Sequence, residues 1–241
     1  MDEENKIRFG YWPALEMAKG DSKIVVHPDE YEGERFLELS CTQTGLKPHQ
    51  QKKLVAEWCS ILPTLDLSHL WFRSRVNQDL LEAAASNPSL QGLFVKWGKI
   101  TSLESLANHE NLKSIYLGSY PGFEEVERLQ SIEGLEYLFL REAKGEFDLK
   151  PFSEISSLQE LGVSSIGKKL EILNFESLVS LEKLRLLWTV RWKLKPKDFI
   201  MIKDMKSLVS LRTEWAEDSD SIGEIKGILP ALISCKSVFT R

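Results

Sequence analysis

Apolar residues along the middle of the chain fall into the pattern L-x-x-L-x-L, with Ile or Val allowed. It occurs as Leu90/Leu93/Val95, Leu112/Ile115/Leu117, Leu135/Leu138/Leu140, Leu158/Leu161/Val163 and Leu181/Leu184/Leu186, with starts 22, 23, 23 and 23 residues apart. Leu62/Leu65/Leu67 lies 28 residues before the first regular copy, and Leu208/Leu211 with Thr213 lies 27 residues after the last. A fixed period of this length marks a repeat architecture, here of about seven coils.

The second half of each hexamer alternates apolar and polar positions, which predicts a short strand with one buried face. Between hexamers stand second apolar sets at a spacing of three: Ile100/Leu103/Leu106, Phe123/Val126/Leu129/Ile132, Phe152/Ile155 and Phe175/Leu178. That spacing suits one or two turns of 3₁₀ or α-helix. One coil cannot bury its own apolar edge, so the coils stack, with a curved parallel sheet on a concave side and short helices or 3₁₀ turns on a convex side. The fold class is therefore an α/β solenoid.

Solenoid ends need covering. Residues 6–12, 23–27 and 35–40 read as strands, and Lys47 to Leu62 as an amphipathic helix with Leu54, Val55, Trp58 and Ile61 on one face and Pro63 as its stop. Residues 1–61 are taken as an N-terminal α/β cap, 62–216 as the array and 217–241 as a C-terminal cap that includes EIKGILPALISCKSVF.

With its 22–23 residue units and an I-x-x-L-x-x-L segment after the strand, the chain resembles the leucine-rich-repeat family, and most of all its short internalin-type class, over roughly residues 62–216. It departs from the family at one position. The family usually places Asn eight residues after the first leucine, where this chain has Leu70, Gly98, Tyr120, Ala143, Ile166, Thr189 and Ala216.

Strand alternation turns hexamer positions 3, 5 and 7 away from the leucines. Position 5 reads Asp66, Phe94, Tyr116, Phe139, Gly162, Arg185 and Arg212; position 3 adds Tyr137, Glu160 and Lys183; position 7 adds Lys96, Arg141 and Glu214. Aromatic and Arg side chains on an outward face match the composition of interface centres. They also match cross-strand pairs that only stabilise a sheet. Trp97, Trp188 and Trp215 fall at position 8, suited to packing at the sheet rim or to partner contact. TVRWKLKPKDF, between Leu186 and Leu208, reads as a long basic loop presenting Trp192, or as a solvated turn. The partner-facing candidates are Phe94, Lys96, Tyr116, Tyr137, Phe139, Arg141, Lys183, Arg185, Trp192 and Arg212.

Charge narrows the partner. A formal net charge of −5 argues against nucleic acid, whose phosphates call for a clustered basic surface. No apolar window is long enough to span a membrane, the N-terminus has no apolar leader, and the location expected is cytoplasmic. Cys41, Cys59 and Cys235 show no metal or disulfide spacing and read as free thiols. The run GVSSIGKK, Gly162 to Lys169, comes closest to a phosphate loop, but ends in Lys where a magnesium-holding Ser or Thr is needed. His27, His49, His69 and His109 are scattered through separate elements. These observations point to a non-enzymatic protein-binding module without cofactor, with its partner on the concave face. It would act as an immunity or antitoxin-type inhibitor, or alternatively as an adaptor or regulatory subunit of an enzyme such as a phosphatase.

Overall fold

The computed structural model describes residues 23–194, 198, 201–213 and 234–236. Residues 6–12, Glu214, Trp215, Ala216 and most of the proposed C-terminal cap lie outside the described residues. The chain divides into two compact units, with the boundary between Gly134 and Leu135.

The first unit carries five parallel strands in sequence order: β1 (Ile24–Val25), β2 (Phe36–Leu39), β3 (His69–Phe72), β4 (Gly92–Val95) and β5 (Ser114–Leu117). Leu37, Leu70, Leu93 and Ile115 stand in one register row, and Leu39, Phe72, Val95 and Leu117 in the next; all are essentially buried. The copy expected at Leu62/Leu65/Leu67 therefore sits at Leu67/Leu70/Phe72. Helix α1 (Pro48–Ile61) ends in a 3₁₀ turn that buries Leu62. The strand begins only where Ser68 and His69 donate their backbone N–H groups to the Arg35 carbonyl, at 2.9 and 3.0 Å. The stretch read as a cap contributes β1 and β2 to the same sheet. α1 packs with Leu54 and Trp58 buried, and the Trp58 indole N–H donates to the Val26 carbonyl at 2.8 Å.

Helix α2 (Gln78–Ala85) starts at Asn77, whose side chain accepts from the Leu80 N–H, and buries Leu80, Leu81 and three alanines. After it, Asn87 is 1% exposed and donates from Nδ2 to the carbonyls of Leu62 and Leu65 at 2.7 and 2.8 Å, while its Oδ1 accepts from Ser89. One amide thus satisfies two carbonyls of the preceding turn. Asn87→Ala should cost about 2–3 kcal/mol, since it strands those acceptors. Asn87→Asp, which keeps the shape and loses the donors, should be no better. Urea midpoints of the two variants test this, and an Asp variant as stable as wild type would count against it.

In the second unit the strands β6 (Tyr137–Ala143), β8 (Glu160–Ser165), β10 (Leu186–Thr189), β12 (Ser210–Thr213) and β13 (Ser234–Lys236) pair in parallel in that order. A second sheet, β11 (Trp192–Lys193), β9 (Leu170–Leu173) and β7 (Glu146–Asp148), is also parallel. Leu138, Leu161, Leu187 and Leu211 share a register row and are buried. The copy expected at Leu181/Leu184/Leu186 therefore sits at Leu184/Leu187/Thr189. The coil before it is longer because it holds β9 and the six-residue 3₁₀ turn Phe175–Ser180.

Parallel strands in register, leucine layers beneath them and 3₁₀ or short helical returns make this an α/β leucine-rich-repeat solenoid. Phe147, Phe152, Phe175 and Trp192 enlarge the core of the second unit, all of them buried.

Candidate functional site

In the first unit, alternation leaves two columns of side chains on the sheet face away from the leucine layers. One column is Ile24, Glu38, Trp71, Phe94 and Tyr116; the other is Phe36, His69, Gly92 and Ser114. Phe94 and Tyr116 stack at 3.9 Å between ring centres and 5° between planes, and Trp71 lies against Phe94 at 4.5 Å. Phe36 stacks on His69 at 4.8 Å, and Ile24 and Phe36 are 43% and 45% exposed. The sequence-predicted Phe94 and Tyr116 thus stand within a longer apolar stripe than the repeat spacing indicated.

Charge frames this stripe. Glu38 is buried and pairs with Arg73 at 3.2 Å, and the Arg73 guanidinium lies 4.3 Å from the centre of the Trp71 ring. Taking Glu38 out of water is offset by that pairing, and the same contact fixes Arg73 over the indole. Lys96 is exposed beyond Phe94, and Trp97 is 38% exposed with the Arg75 guanidinium 5.9 Å from its ring centre.

Gly92 has a specific reason to be glycine. A Cβ there would run into the His69 ring, so its absence lets the imidazole lie over the neighbouring strand. Burial, with a smaller contribution from the Arg35 charge, pushes the His69 pKa down to about 4. The folded protein therefore favours neutral imidazole, whereas the unfolded chain takes up the proton near pH 6.5. Stability contributed by His69 is present above pH 6.5 and is lost as the pH falls towards 4, with a slope of at most about 1.4 kcal/mol per pH unit. Melting curves from pH 7.5 to 4 should converge for wild type and His69→Leu as the acid side is approached; parallel curves would dismiss the effect.

The second unit has its own outward row: Phe139, Gly162 and Trp188. Phe139 and Trp188, on alternate strands, meet edge to face at 5.6 Å, because Gly162 between them has no side chain. Tyr137 sits beside Glu160 on the next row. Burial pushes its hydroxyl up to about 12, helped by Glu136 and Glu160 and opposed by Arg185, so it is a neutral donor at ordinary pH. Arg141 is exposed.

Some sequence-predicted residues lie elsewhere. Trp192 is 2% exposed, its indole N–H donates to the Val163 carbonyl at 2.7 Å, and its ring meets Phe175 edge-on at 6.4 Å. It is therefore a core residue of the second sheet and not the tip of a basic loop. Lys183 and Arg185 are exposed, but the shift of register puts them before β10, around a shallow depression with Gln159, Glu182 and Ser207. For Arg212 the strand backbone alone is described.

Residues not anticipated on these faces are Trp71, His69 and the Glu38–Arg73 pair, and Trp188 in place of Arg185. The period itself carried the signal for Trp71: stepping back 23 residues from Leu90, Leu93 and Val95 reaches Leu67, Leu70 and Phe72.

Among the described residues no group of three or more His, Cys, Asp or Glu side chains is placed to hold a metal ion. Cys41 and Cys59 are free, and burial pushes the Cys41 thiol up to about 12. The run from Gly162 to Lys169 continues β8, turns with the Ser165 hydroxyl on the Lys168 carbonyl at 2.6 Å, and enters β9. It therefore leads into no helix whose N-terminal amides would cradle phosphate. No described helix is long and apolar enough to cross a membrane.

No protein-family model and no curated protein matches the chain. Among solved structures, internalin C2 of Listeria monocytogenes is 19% identical with a TM-score of 0.47, over 75% of this chain and 77% of that one. A leucine-rich-repeat protein of Leptospira interrogans is 19% identical with a TM-score of 0.46, over 71% and 55%. An internalin of Listeria monocytogenes, inlF, is 15% identical with a TM-score of 0.48, over 72% and 53%. The chain spans little more than half of these last two.

Proposed function

We propose that the chain is a non-enzymatic protein-binding module whose main contact is the open sheet face of the first unit. The observation that carries this reading is the ordered aromatic stripe Trp71–Phe94–Tyr116, with the exposed Phe36 in the neighbouring column and the exposed Ile24 beyond Glu38. Contiguous apolar surface on a sheet face is uncommon in a protein without a partner, and aromatic and Arg side chains dominate interface energetics.

The stripe is already ordered. Ring stacking holds the aromatics and Glu38 holds Arg73, so binding has few side chains left to immobilise. Preorganisation of that kind suits a tight, single-target inhibitor acting in the cytoplasm. The test is capture of a stoichiometric protein from the native lysate by wild type and by a Trp71→Ala/Phe94→Ala variant, followed by assay of the captured protein's activity with and without the chain. A partner retained by the variant removes the face from the reading; one bound but not inhibited favours an adaptor.

A further inference from the structure

The segments that follow β2, β3, β4 and β5 emerge along one edge of the first unit's sheet, because the four strands are parallel and in register. Residues 40–47, 73–77, 96–103 and 118–122 contain Lys47, Arg73, Arg75, Lys96 and Lys99 and no Asp or Glu, in a chain whose net charge is −5. Among the described residues only Arg73 of these has a carboxylate partner, Glu38. Arg75, Lys96 and Lys99 are exposed and make no ion pair among the described residues; away from this edge Lys52 and Lys113 of the same unit make none either, while Lys23, Arg35, Lys53 and Arg128 are each paired.

The edge is also built to hold its shape. Val76 donates to the Trp97 carbonyl at 3.0 Å and Lys99 donates to the Val76 carbonyl at 2.8 Å, so the turns bearing Arg75, Lys96 and Lys99 are laced together. Thr42 donates its hydroxyl to the Arg75 carbonyl at 2.5 Å, and Gly98 donates its N–H to the Ser119 hydroxyl at 3.0 Å. A Cβ on Gly98 would come within 2.5 Å of the Val76 carbonyl oxygen, so glycine is what lets the two turns approach. Exposed Trp97 stands among the cations.

Resting on the protein-binding reading, we infer that this edge takes an acidic segment of the partner protein, with its carboxylates on Arg75, Lys96 and Lys99 and apolar side chains on Trp97 and the neighbouring aromatic stripe. Unpaired cations on fixed turns meet a carboxylate without first breaking an internal pair, and complementary charge sets both specificity and association rate. Nucleic acid is the weaker fit. Its phosphates would meet a net negative molecule, and three cations on one short edge release few counterions.

Fluorescence anisotropy with labelled short peptides tests the assignment, using the full chain at low and high salt. The probes are a peptide alternating Glu with Phe and Leu, its Lys counterpart, and a duplex oligonucleotide. The acidic peptide should bind in preference to the other two, weaken with salt, and lose about tenfold or more in affinity in R75E/K96E/K99E. R75Q/K96Q/K99Q should fall between, and circular dichroism should show both variants folded. Equal binding of the Lys peptide, tighter binding of the oligonucleotide, no binding of the acidic peptide, or indifference to the charge variants would each overturn the inference. The protein captured from lysate separates the two readings. If its binding depends on Trp71 and Phe94 and not on Arg75, Lys96 and Lys99, the acidic-segment inference fails and the module stands; if it depends on neither set, both fail.

Discussion

Replacing Trp71 and Phe94 together by alanine is expected to weaken partner binding by a hundredfold or more. Each ring lies in the middle of the outward column against a neighbouring ring, Phe94 stacked on Tyr116 and Trp71 tilted against Phe94 under Arg73, the setting in which truncation of an aromatic anchor costs about 2 kcal/mol or more. The two losses need not add, since the rings touch. The same change removes cross-strand stacking worth about 0.5–1.5 kcal/mol per pair, so a modest fall in melting temperature is expected alongside. Titration calorimetry on the captured partner separates the effects. Unchanged affinity with a large fall in melting temperature would make the stripe a stabilising ladder and nothing more.

Trp192→Ala should be among the most destabilising single changes in the second unit, by about 3–5 kcal/mol, the range for deleting a buried tryptophan. The indole fills space against Phe175 beneath β9 and β11, and its N–H caps the Val163 carbonyl. Trp192→Phe keeps much of the volume but leaves that carbonyl unsatisfied, and should cost about 1–3 kcal/mol. Urea denaturation orders the three proteins wild type, Phe, Ala. An Ala variant with a wild-type midpoint would put the side chain at the surface after all.

Trp192 also shows where the sequence was hard to read. A tryptophan among Arg, Lys and Pro has the composition of a loop, and nothing in TVRWKLKPKDF announces a two-residue strand. What buries it is the pairing of β11 with β9, a contact between residues of different coils that local pattern does not carry. The regular copies from Leu90 to Val163 were legible because each leucine must lie over the one before it, and the register rows follow those leucines. Register was misread at both flanks, where extra leucines offered two frames. Leu62 belongs to the turn after α1, and Leu181 to the turn before β10. A frame shift there exchanges inward and outward residues, which is why Asp66 and Arg185 stood in for Trp71 and Trp188. Phe94, Tyr116 and Phe139, in unambiguous frames, stand half-buried on the sheet faces away from the leucine layers. The Glu38–Arg73 pair joins residues far apart in sequence, and no spacing rule points to it.

The second sheet bears on how such a gene can change length. In the first unit a duplicated repeat of about 23 residues needs only to bring its leucines into step, because each coil is joined to the next by one ladder and by turns. Where β7, β9 and β11 run along the other flank, a new coil must supply two strands and a bulky aromatic at the matching place. Unequal recombination that adds or removes a repeat is therefore accommodated at the front of the array and filtered out at the coils of Phe147, Phe175 and Trp192, so drift in repeat number among descendants of this gene should be confined to the segment before Leu135.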